Sequence, residues 1–365
     1  MKQSLPVLLH HHVTARRDAI AVSPENFEAQ LKALSAAGFR GVSLAEAHAF
    51  LVRGVRLPGR PCLITFDDGY LDNATNAWPL LAQYGHKAVV FAVTSRLEHG
   101  PARPTLGDAR AGRVALDDLP NVTDHLVTGE HGLWERRDQF LSWDEARAME
   151  ASGVVSVEPH GHRHASVFCR PDFQTFFKPR NKKRTFDDIE TRTVFGLPRF
   201  EEGPSLSSRA FLPADELYDL ALRETPQDTG EALRFFADSR NEERLRSKVL
   251  AIPRERWGRF ETDDEYAARV HEELAPSIAA IRENLGRAPV SLAWPWGAFT
   301  EAAHEIARGL GIEMFFCTTP GANPPGAAAH VNRFKVRDKG GAWLRSRLEI
   351  YSRPWLAQAY ATVRR

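Results

Sequence analysis

Hydrophobic and polar positions follow two patterns in the first hundred residues, short continuous apolar runs and segments with apolar residues three or four positions apart. The apolar runs at residues 7–9, 61–66 and 87–93 are typical of buried parallel strands. Helical spacing begins after Ser23 and again after Ser43, and both residues are favourable N-caps. This alternation of strands and helices predicts a parallel α/β architecture.

The same alternation returns in the second half of the chain. A capping box at Ser142 and Glu145 predicts the start of another helix. Apolar runs then predict further strands, and helical spacing predicts further helices. The predicted strands lie at 154–157, 290–293, 314–318 and 330–336, and the predicted helices at 264–285 and 301–309. The α/β pattern therefore extends over most of the chain.

Two segments interrupt this pattern, at about 96–138 and about 169–261. The first is rich in Gly, Pro, Asp and His and is interpreted as an inserted loop. The second is rich in charged residues and Phe, with a helical stretch near 213–223, and could be a lid, a subdomain or an interaction surface. We therefore predict one catalytic domain over residues 1–337 with two insertions, followed by a tail over 338–365.

Overall charge and composition argue against several functional classes. The 365 residues carry 48 basic and 47 acidic side chains, so no global surplus of positive charge indicates nucleic acid as a partner. No stretch approaches the roughly 20 apolar residues of a membrane helix. Pro6 and the three histidines after Leu9 interrupt the N-terminal apolar run, which argues against a signal peptide. Three widely spaced cysteines indicate no disulfide framework, and we expect a cytoplasmic protein.

The C-terminal segment has a local charge of its own. The last 33 residues carry nine basic and two acidic side chains, with Tyr351, Trp355 and Tyr360 among them. Such a tail could touch an anionic membrane peripherally. The alternative, a solvated basic helix that packs its aromatic residues on the domain, is the favoured interpretation.

Polar side chains follow the predicted strands at the end where parallel strands converge on one face. Asp67 and Asp68 come directly after the strand at 61–66, and His160, His162 and His164 follow the strand at 154–157. Neutral imidazoles and carboxylates are good ligands for zinc and similar divalent metals. Adjacent carboxylates repel each other, so one Asp is expected to bind metal and the other to accept a proton. The sequence predicts a catalytic metal site with an open coordination position.

Four motifs resemble the polysaccharide deacetylases, also called carbohydrate esterase family 4 or the NodB homology domain. Residues 65–70 (TFDDGY) resemble the first family motif, and 160–164 (HGHRH) the second. Residues 292–297 (LAWPWG) are similar to the third. The opening at 6–13 (PVLLHHHV) resembles the branch that includes exopolysaccharide deacetylases. The resemblance implies a distorted (β/α) barrel of about seven strands, with two large loop insertions.

The resemblance also implies roles for individual residues. It assigns the general base to Asp67 and the metal ligands to Asp68, His160 and His164. It further implies that the backbone N–H of Trp296 helps to bind the oxyanion. The cofactor is expected to be a divalent metal, zinc first, with cobalt or nickel as alternatives.

Two features of the family are missing from this sequence. The late Leu-x-His motif that usually supplies the general acid is not found after Gly321, and Ala293 stands where many members have an Arg that orients the base. His11, His162 and His330 are therefore the candidate acids, and His11 is the one assigned to the catalytic set.

Aromatic residues near the third motif are candidate substrate contacts. Trp294 and Trp296 could stack on a sugar ring, or they could pack inside the barrel. Tyr70 and Pro295 complete the expected substrate-binding set.

Together these observations predict a metal-dependent carbohydrate N-deacetylase. It would remove N-acetyl groups from an amino-sugar-containing saccharide or glycolipid intermediate. One alternative keeps the site and changes the substrate to a small amide, ureide or imide. The other is a non-catalytic, metal-containing carbohydrate-binding protein.

Overall fold

The computed structural model describes residues 3–15, 19–120, 122, 126–128, 134–136, 139–179, 182–183, 186 and 188–363. Strands and helices alternate through most of this range. The strands are β1 (Val7–His10), β2 (His12–Val13), β3 (Ala21–Val22), β4 (Phe39–Gly41), β5 (Arg60–Phe66), β6 (Ala88–Ala92), β7 (Leu126–Thr128), β8 (Trp134–Arg136), β9 (Val155–Pro159), β10 (Ser166–Phe176), β11 (Lys182–Lys183), β12 (Pro198–Pro204), β13 (Phe211–Pro213), β14 (Gly258–Phe260), β15 (Ser291–Ala293), β16 (Met314–Phe316) and β17 (Phe334–Lys335).

The helices cover the strands and fill the second insertion. They are α1 (Pro24–Ala36), α2 (Leu44–Leu51), α3 (Trp78–Tyr84), α4 (Leu106–Arg110), α5 (Trp143–Ala151), α6 (Asp215–Glu224), α7 (Thr229–Ala237), α8 (Ser239–Leu250), α9 (Asp263–Leu285), α10 (Glu301–Gly309), α11 (Gly341–Tyr351) and α12 (Pro354–Val363). The predicted caps are confirmed, because Ser23, Ser43 and Ser142 each accept a backbone N–H three residues on.

A parallel sheet lies at the centre of the molecule, in the order β17-β1-β5-β6-β9, with β4 paired to the start of β5. Its strands are almost entirely buried, as their continuous apolar runs predict. Because the strands are parallel, the carboxyl ends of β5 and β9 lie at the same edge of this sheet. The candidate catalytic and metal-binding residues that follow these two strands are therefore brought together.

A second, two-stranded parallel sheet consists of β15 and β16. It shares a hydrophobic core with the central sheet, to which Val7, Leu63, Val89, Ala293 and Phe316 contribute. A side chain bridges the two sheets: the buried carboxylate of Glu158 on β9 accepts the backbone N–H of Ser291 on β15 at 2.7 Å. The predicted mixed α/β fold is confirmed. Backbone pairing among the described strands does not close these sheets into a complete barrel.

The second insertion has a hydrophobic core of its own. Strands β10 and β12 form an antiparallel pair, and helices α6 and α8 pack beside it. Phe168, Phe200 and Trp257 lie at the centre of this core, and each is at most 6% exposed. The prediction of one helix near 213–223 is confirmed by α6, whereas α7 and α8 were not predicted. The apolar faces of α7 and α8 are short, and charged residues interrupt the apolar positions in the sequence.

The C-terminal segment forms two helices that follow β17. The ring of Tyr351 on α11 stacks on Phe334, with ring centroids 4.5 Å apart, whereas Trp355 on α12 is 66% exposed. Part of the basic tail thus packs on the domain. None of the helices among the described residues combines the length and apolar character that a membrane crossing requires.

Candidate metal centre and active site

The two acidic candidates lie in the turn that follows β5. Asp68 has a φ of 73°, in the left-handed region, and Gly69 follows with a φ of 77°. A Cβ at Gly69 would approach the Cβ of Ala92 on β6 to 2.9 Å, so this position requires glycine. The turn directs both carboxylates toward one imidazole: Asp67 Oδ2 lies 3.9 Å and Asp68 Oδ1 lies 3.5 Å from His160 Nε2.

The two histidine candidates lie on a curled loop that follows β9. Gly161 has a φ of 81° and His164 a φ of 56°, so the backbone enters the left-handed region twice within this loop. His160 Nδ1 lies 2.8 Å from the backbone oxygen of Ala293 on β15. A carbonyl oxygen only accepts, so Nδ1 carries the proton and the lone pair of Nε2 faces Asp68.

Asp68, His160 and His164 form the cluster that a metal site requires. One donor atom from each lies within 4.8 Å of the other two, and all three side chains are buried. His164 Nε2 is 3.8 Å from Asp68 Oδ1. Ligands bound tetrahedrally to zinc at about 2.05 Å would be about 3.3 Å apart, so small shifts would bring these atoms to coordinating distance. The residues present therefore fit a divalent metal with three protein ligands and an open position.

Electrostatics favour the neutral form of both imidazoles. Burial lowers the pKa of His160, although the nearby Asp67 carboxylate opposes the shift. Burial, and then the neighbouring His160, holds the pKa of His164 well below its usual range. A neutral imidazole is the form that binds a metal, so neither ligand has to lose a proton first at neutral pH.

Asp67 forms a buried salt bridge with Arg333, a residue that the sequence analysis did not select. Arg333 Nη1 and Nη2 donate to the two carboxylate oxygens at 2.6 and 2.8 Å. Burial alone would raise the pKa of Asp67, but the guanidinium of Arg333 and the imidazoles of His160 and His11 outweigh it and lower the pKa. Asp67 is thus held ionised and in one orientation beside the cluster.

Arg333 precedes β17, the neighbour of β1 in the sheet, and it reaches Asp67 from the far end of the chain. It therefore contacts the carboxylate that the resemblance assigns as the general base, a contact that Ala293 cannot make. In the sequence, Arg333 is one of two charged residues, with Lys335, in the predicted strand at 330–336, and no motif marks it.

His11 lies close to the cluster. It interacts electrostatically with Asp67, Arg333 and His160, and its Nδ1 is buried with no hydrogen-bond partner among the described residues. Burial lowers the pKa of His11 to about 4, and only Asp67 opposes that shift. At neutral pH this ring is neutral, so it could act as an acid only after receiving a proton.

The other two candidate acids point elsewhere. His162 Nδ1 lies 3.0 Å from the hydroxyl of Thr94. His330 Nε2 lies 3.1 Å from the Sγ atom of Cys317, and no contact joins His330 to the cluster among the described residues. His11 is therefore the candidate acid nearest to Asp67.

Aromatic rings flank His164 on two sides. The ring centroid of Trp296 is 4.1 Å away, and that of Phe186, from the second insertion, is 4.4 Å away. Trp296 has a φ of 55° and remains 45% exposed, so its ring forms an accessible surface beside the cluster. Asp68, His164 and Trp296 are the three non-glycine residues with positive φ among those described. Backbone strain is thus concentrated at this site.

The remaining substrate-binding candidates are buried. Trp294 has no exposed surface and stacks between Phe299 and Phe315. Its predicted contact with a sugar is wrong for this structure, and the packing alternative holds. Tyr70 is 2% exposed and stacks on His12, and Pro295 is also buried, so neither offers a surface to a substrate. Side chains two residues apart on an extended strand share a face, but the φ of 55° at Trp296 takes its backbone out of the extended conformation, so its ring does not follow that of Trp294 into the core.

Comparison with known proteins supports the resemblance that the motifs indicate. The sequence model described as polysaccharide deacetylase matches residues 54–193. YxkH of Bacillus subtilis (strain 168), whose name assigns it to the polysaccharide deacetylases, is 35% identical over 95 residues. Those residues are 26% of this chain and 34% of that protein, so the chain matches about a third of the length of this curated relative.

Solved structures share the fold at lower identity. The BpsB deacetylase domain from Bordetella bronchiseptica is 24% identical, with a TM-score of 0.55 over 91% of this chain and 96% of that chain. A de-N-acetylase from Aggregatibacter actinomycetemcomitans is 18% identical, with a TM-score of 0.59 over 94% and 99%. IcaB from Ammonifex degensii is 19% identical, with a TM-score of 0.53 over 96% and 98%. The sequence matches confirm the resemblance to the polysaccharide deacetylases that the motifs predicted.

Proposed function

We propose that this protein is a metal-dependent hydrolase that removes N-acetyl groups from an amino-sugar-containing saccharide. One observation carries the proposal. Asp68, His160 and His164 gather their donor atoms within 4.8 Å of one another, beside an ionised Asp67 that is not needed as a ligand. Three protein ligands, an open position and an adjacent base are what metal-assisted hydrolysis requires.

A divalent ion bound there would supply Lewis-acid activation of water and of the amide carbonyl. The protein's own residues carry the proton and charge movements. Asp67 accepts the proton of the attacking water, and the salt bridge to Arg333 fixes the direction of that carboxylate. The backbone N–H of Trp296 would donate to the developing oxyanion.

The leaving amine must receive a proton. His11 is near enough to Asp67 to interact with it electrostatically, and the buried Nδ1 atom of its neutral ring has no hydrogen-bond partner among the described residues. We propose that the proton taken up by Asp67 reaches the amine through His11. The exposed ring of Trp296 would hold the apolar face of the sugar beside the cluster.

The proposal includes the finer features of the fold and surroundings. We propose that the two parallel sheets form one distorted barrel, since they share a core and Glu158 bridges them. Residues 1–337 would form the catalytic domain and 338–365 a basic tail. The cytoplasmic location and the peripheral membrane contact of the tail stay predictions, as does the glycolipid intermediate as substrate.

The test combines metal analysis with acetate release. Purified protein should contain, or take up, about one equivalent of zinc, cobalt or nickel and release acetate from N-acetylated oligosaccharides. Chelation should abolish release, and added metal should restore it. Release of product from a cyclic amide or ureide panel alone would favour the small-amide alternative. Glycan binding without acetate release, in the metal-loaded protein, would refute the enzyme proposal.

A further inference from the structure

The loop that carries both histidine ligands is wrapped around a buried carboxylate from another element. Glu273 lies in the middle of α9 and is 1% exposed. Its Oε1 atom accepts three successive backbone N–H groups, those of His162, Arg163 and His164, at 2.8, 2.7 and 3.2 Å. Successive N–H groups that converge in this way form an anion-binding concavity, and here a side chain of the same protein fills it.

The approach of this carboxylate determines which residue can stand at position 161. A Cβ on Gly161 would lie 2.9 Å from Glu273 Oε1, and the φ of 81° disfavours any other residue. The next turn of α9 adds a second contact, because Ser277 Oγ donates to the backbone oxygen of Gly161 at 2.8 Å. One face of α9 therefore holds the loop at both ends.

A positively charged side chain of the loop itself balances the charge of Glu273. Arg163 Nε donates to Glu273 Oε2 at 3.0 Å. Arg163 also reaches Glu190, in the second insertion, at 2.7 Å. The second oxygen of Glu273 thus faces a cation, while the first is reserved for the backbone amides.

We infer that Glu273 is a positioning residue for the metal site: its carboxylate shapes the 161–164 loop so that His160 and His164 face Asp68. The inference rests on the proposed metal-dependent function. Charge-assisted hydrogen bonds from three amides hold the αL conformation of His164, which an isolated loop would rarely adopt. Among the described residues, Glu273 hydrogen-bonds to the backbone of the loop and to Arg163 and to neither imidazole ligand, so its contacts shape the loop through the backbone.

Two substitutions test the charge and the length of this side chain separately. In Glu273→Gln the amide oxygen can still accept the three N–H groups. The NH₂ group then faces Arg163, and because both groups are hydrogen-bond donors, that contact is lost. In Glu273→Asp the charge remains, but the carboxylate is one methylene too short to reach the amides. We expect both variants to bind zinc about 10- to 100-fold more weakly than the wild type, the usual effect of losing an outer partner of the ligands.

The experiment measures zinc affinity by chelator competition in the full-length protein, well below each variant's unfolding temperature. Glu272→Gln is the matched control, because Glu272 is the exposed neighbour on the same helix and undergoes the same chemical change. It should bind zinc like the wild type. Zinc affinity within twofold of the wild type in Glu273→Gln and Glu273→Asp would overturn the inference and leave Glu273 a purely structural residue.

A second measurement uses the metal-free protein and does not depend on the proposed function. The amide hydrogens of residues 162–164 should exchange slowly in the wild type and in Glu272→Gln, and at least tenfold faster in Glu273→Ala. Unchanged exchange would refute the anchoring role even if the enzyme were active. A wild type that binds no zinc but shows this protection would refute the proposed function and retain the anchored loop.

Discussion

Arg333 and Asp67 form a two-point salt bridge across 266 residues of sequence, and both side chains are at most 3% exposed. Planar guanidinium matches a carboxylate at both oxygens, which fixes orientation as well as charge. The bridge thus makes a residue outside the recognised motifs part of the catalytic arrangement proposed here.

Replacing Arg333 should reduce turnover and change its pH dependence. In Arg333→Lys the ammonium keeps one positive charge but cannot contact both oxygens, so we expect kcat to fall by an order of magnitude or more. In Arg333→Met the pKa of Asp67 should rise, since burial is then less opposed. The acidic limb of the kcat/KM profile should therefore move to higher pH. The exposed Arg337→Lys serves as control, and an unmoved acidic limb in Arg333→Met would contradict the assignment.

Loss of one partner of this buried bridge should also reduce stability. An uncompensated buried charge costs about 3–5 kcal/mol, so kinetic data need a parallel unfolding curve for each variant.

The two adjacent aspartates should respond differently to the same substitution. Asp68→Asn removes a ligand and should strongly weaken metal binding, as should His164→Ala. Asp67→Asn should retain the metal and lower kcat by about 10²- to 10⁴-fold, the usual contribution of a positioned base. Metal content of the purified variants and acetate release check this. Metal lost in Asp67→Asn but retained in Asp68→Asn would reverse the two roles.

Replacing each of the two tryptophans of the third motif with alanine should also have different effects. Trp296→Ala removes an exposed ring, so it should raise KM for a saccharide while leaving the free energy of unfolding nearly unchanged. Trp294→Ala creates a cavity between Phe299 and Phe315 and should lower that free energy by about 3–5 kcal/mol. Denaturant unfolding and initial-rate kinetics test both, and equal KM values for Trp296→Ala and the wild type would argue against sugar stacking.

His10 should contribute to acid sensitivity. Burial, and then the neighbouring His11, lowers its pKa to about 3, from an ordinary value near 6.5. Between these pH values the unfolded chain binds a proton that the folded protein does not, so stability falls as pH decreases through this window. The loss at pH 3 is on the order of 4 kcal/mol. His10→Phe, which keeps a ring against Phe66, should flatten the dependence of unfolding free energy on pH. An equally steep dependence would exclude this residue as a cause.

Local signals in the sequence predicted most elements around the site. Continuous apolar runs predicted β5, β6 and β9, and Ser or Thr caps predicted where helices begin. The candidate ligands Asp68, His160 and His164 could be selected because they lie in the segments that follow two strands and because those segments resemble family motifs. These features depend on neighbours in sequence, so no tertiary information was needed.

Other features depend on contacts between distant segments. Arg333 reaches Asp67 only because β17 pairs with β1, and Glu273 reaches the histidine loop only because α9 packs under it. The sequence showed both as ordinary charged residues. It also could not separate Trp294 from Trp296, because the left-handed turn at Trp296 determines which ring faces solvent.

The distance between Asp67 and Arg333 along the chain has a practical consequence for the design of fragments of such proteins and for their comparison. The family match ends at residue 193, 140 positions before the arginine. A fragment trimmed to that match would retain Asp67 and all three metal-ligand candidates while losing the guanidinium that holds the Asp67 carboxylate. Absence of activity in such a fragment would say nothing about the whole chain.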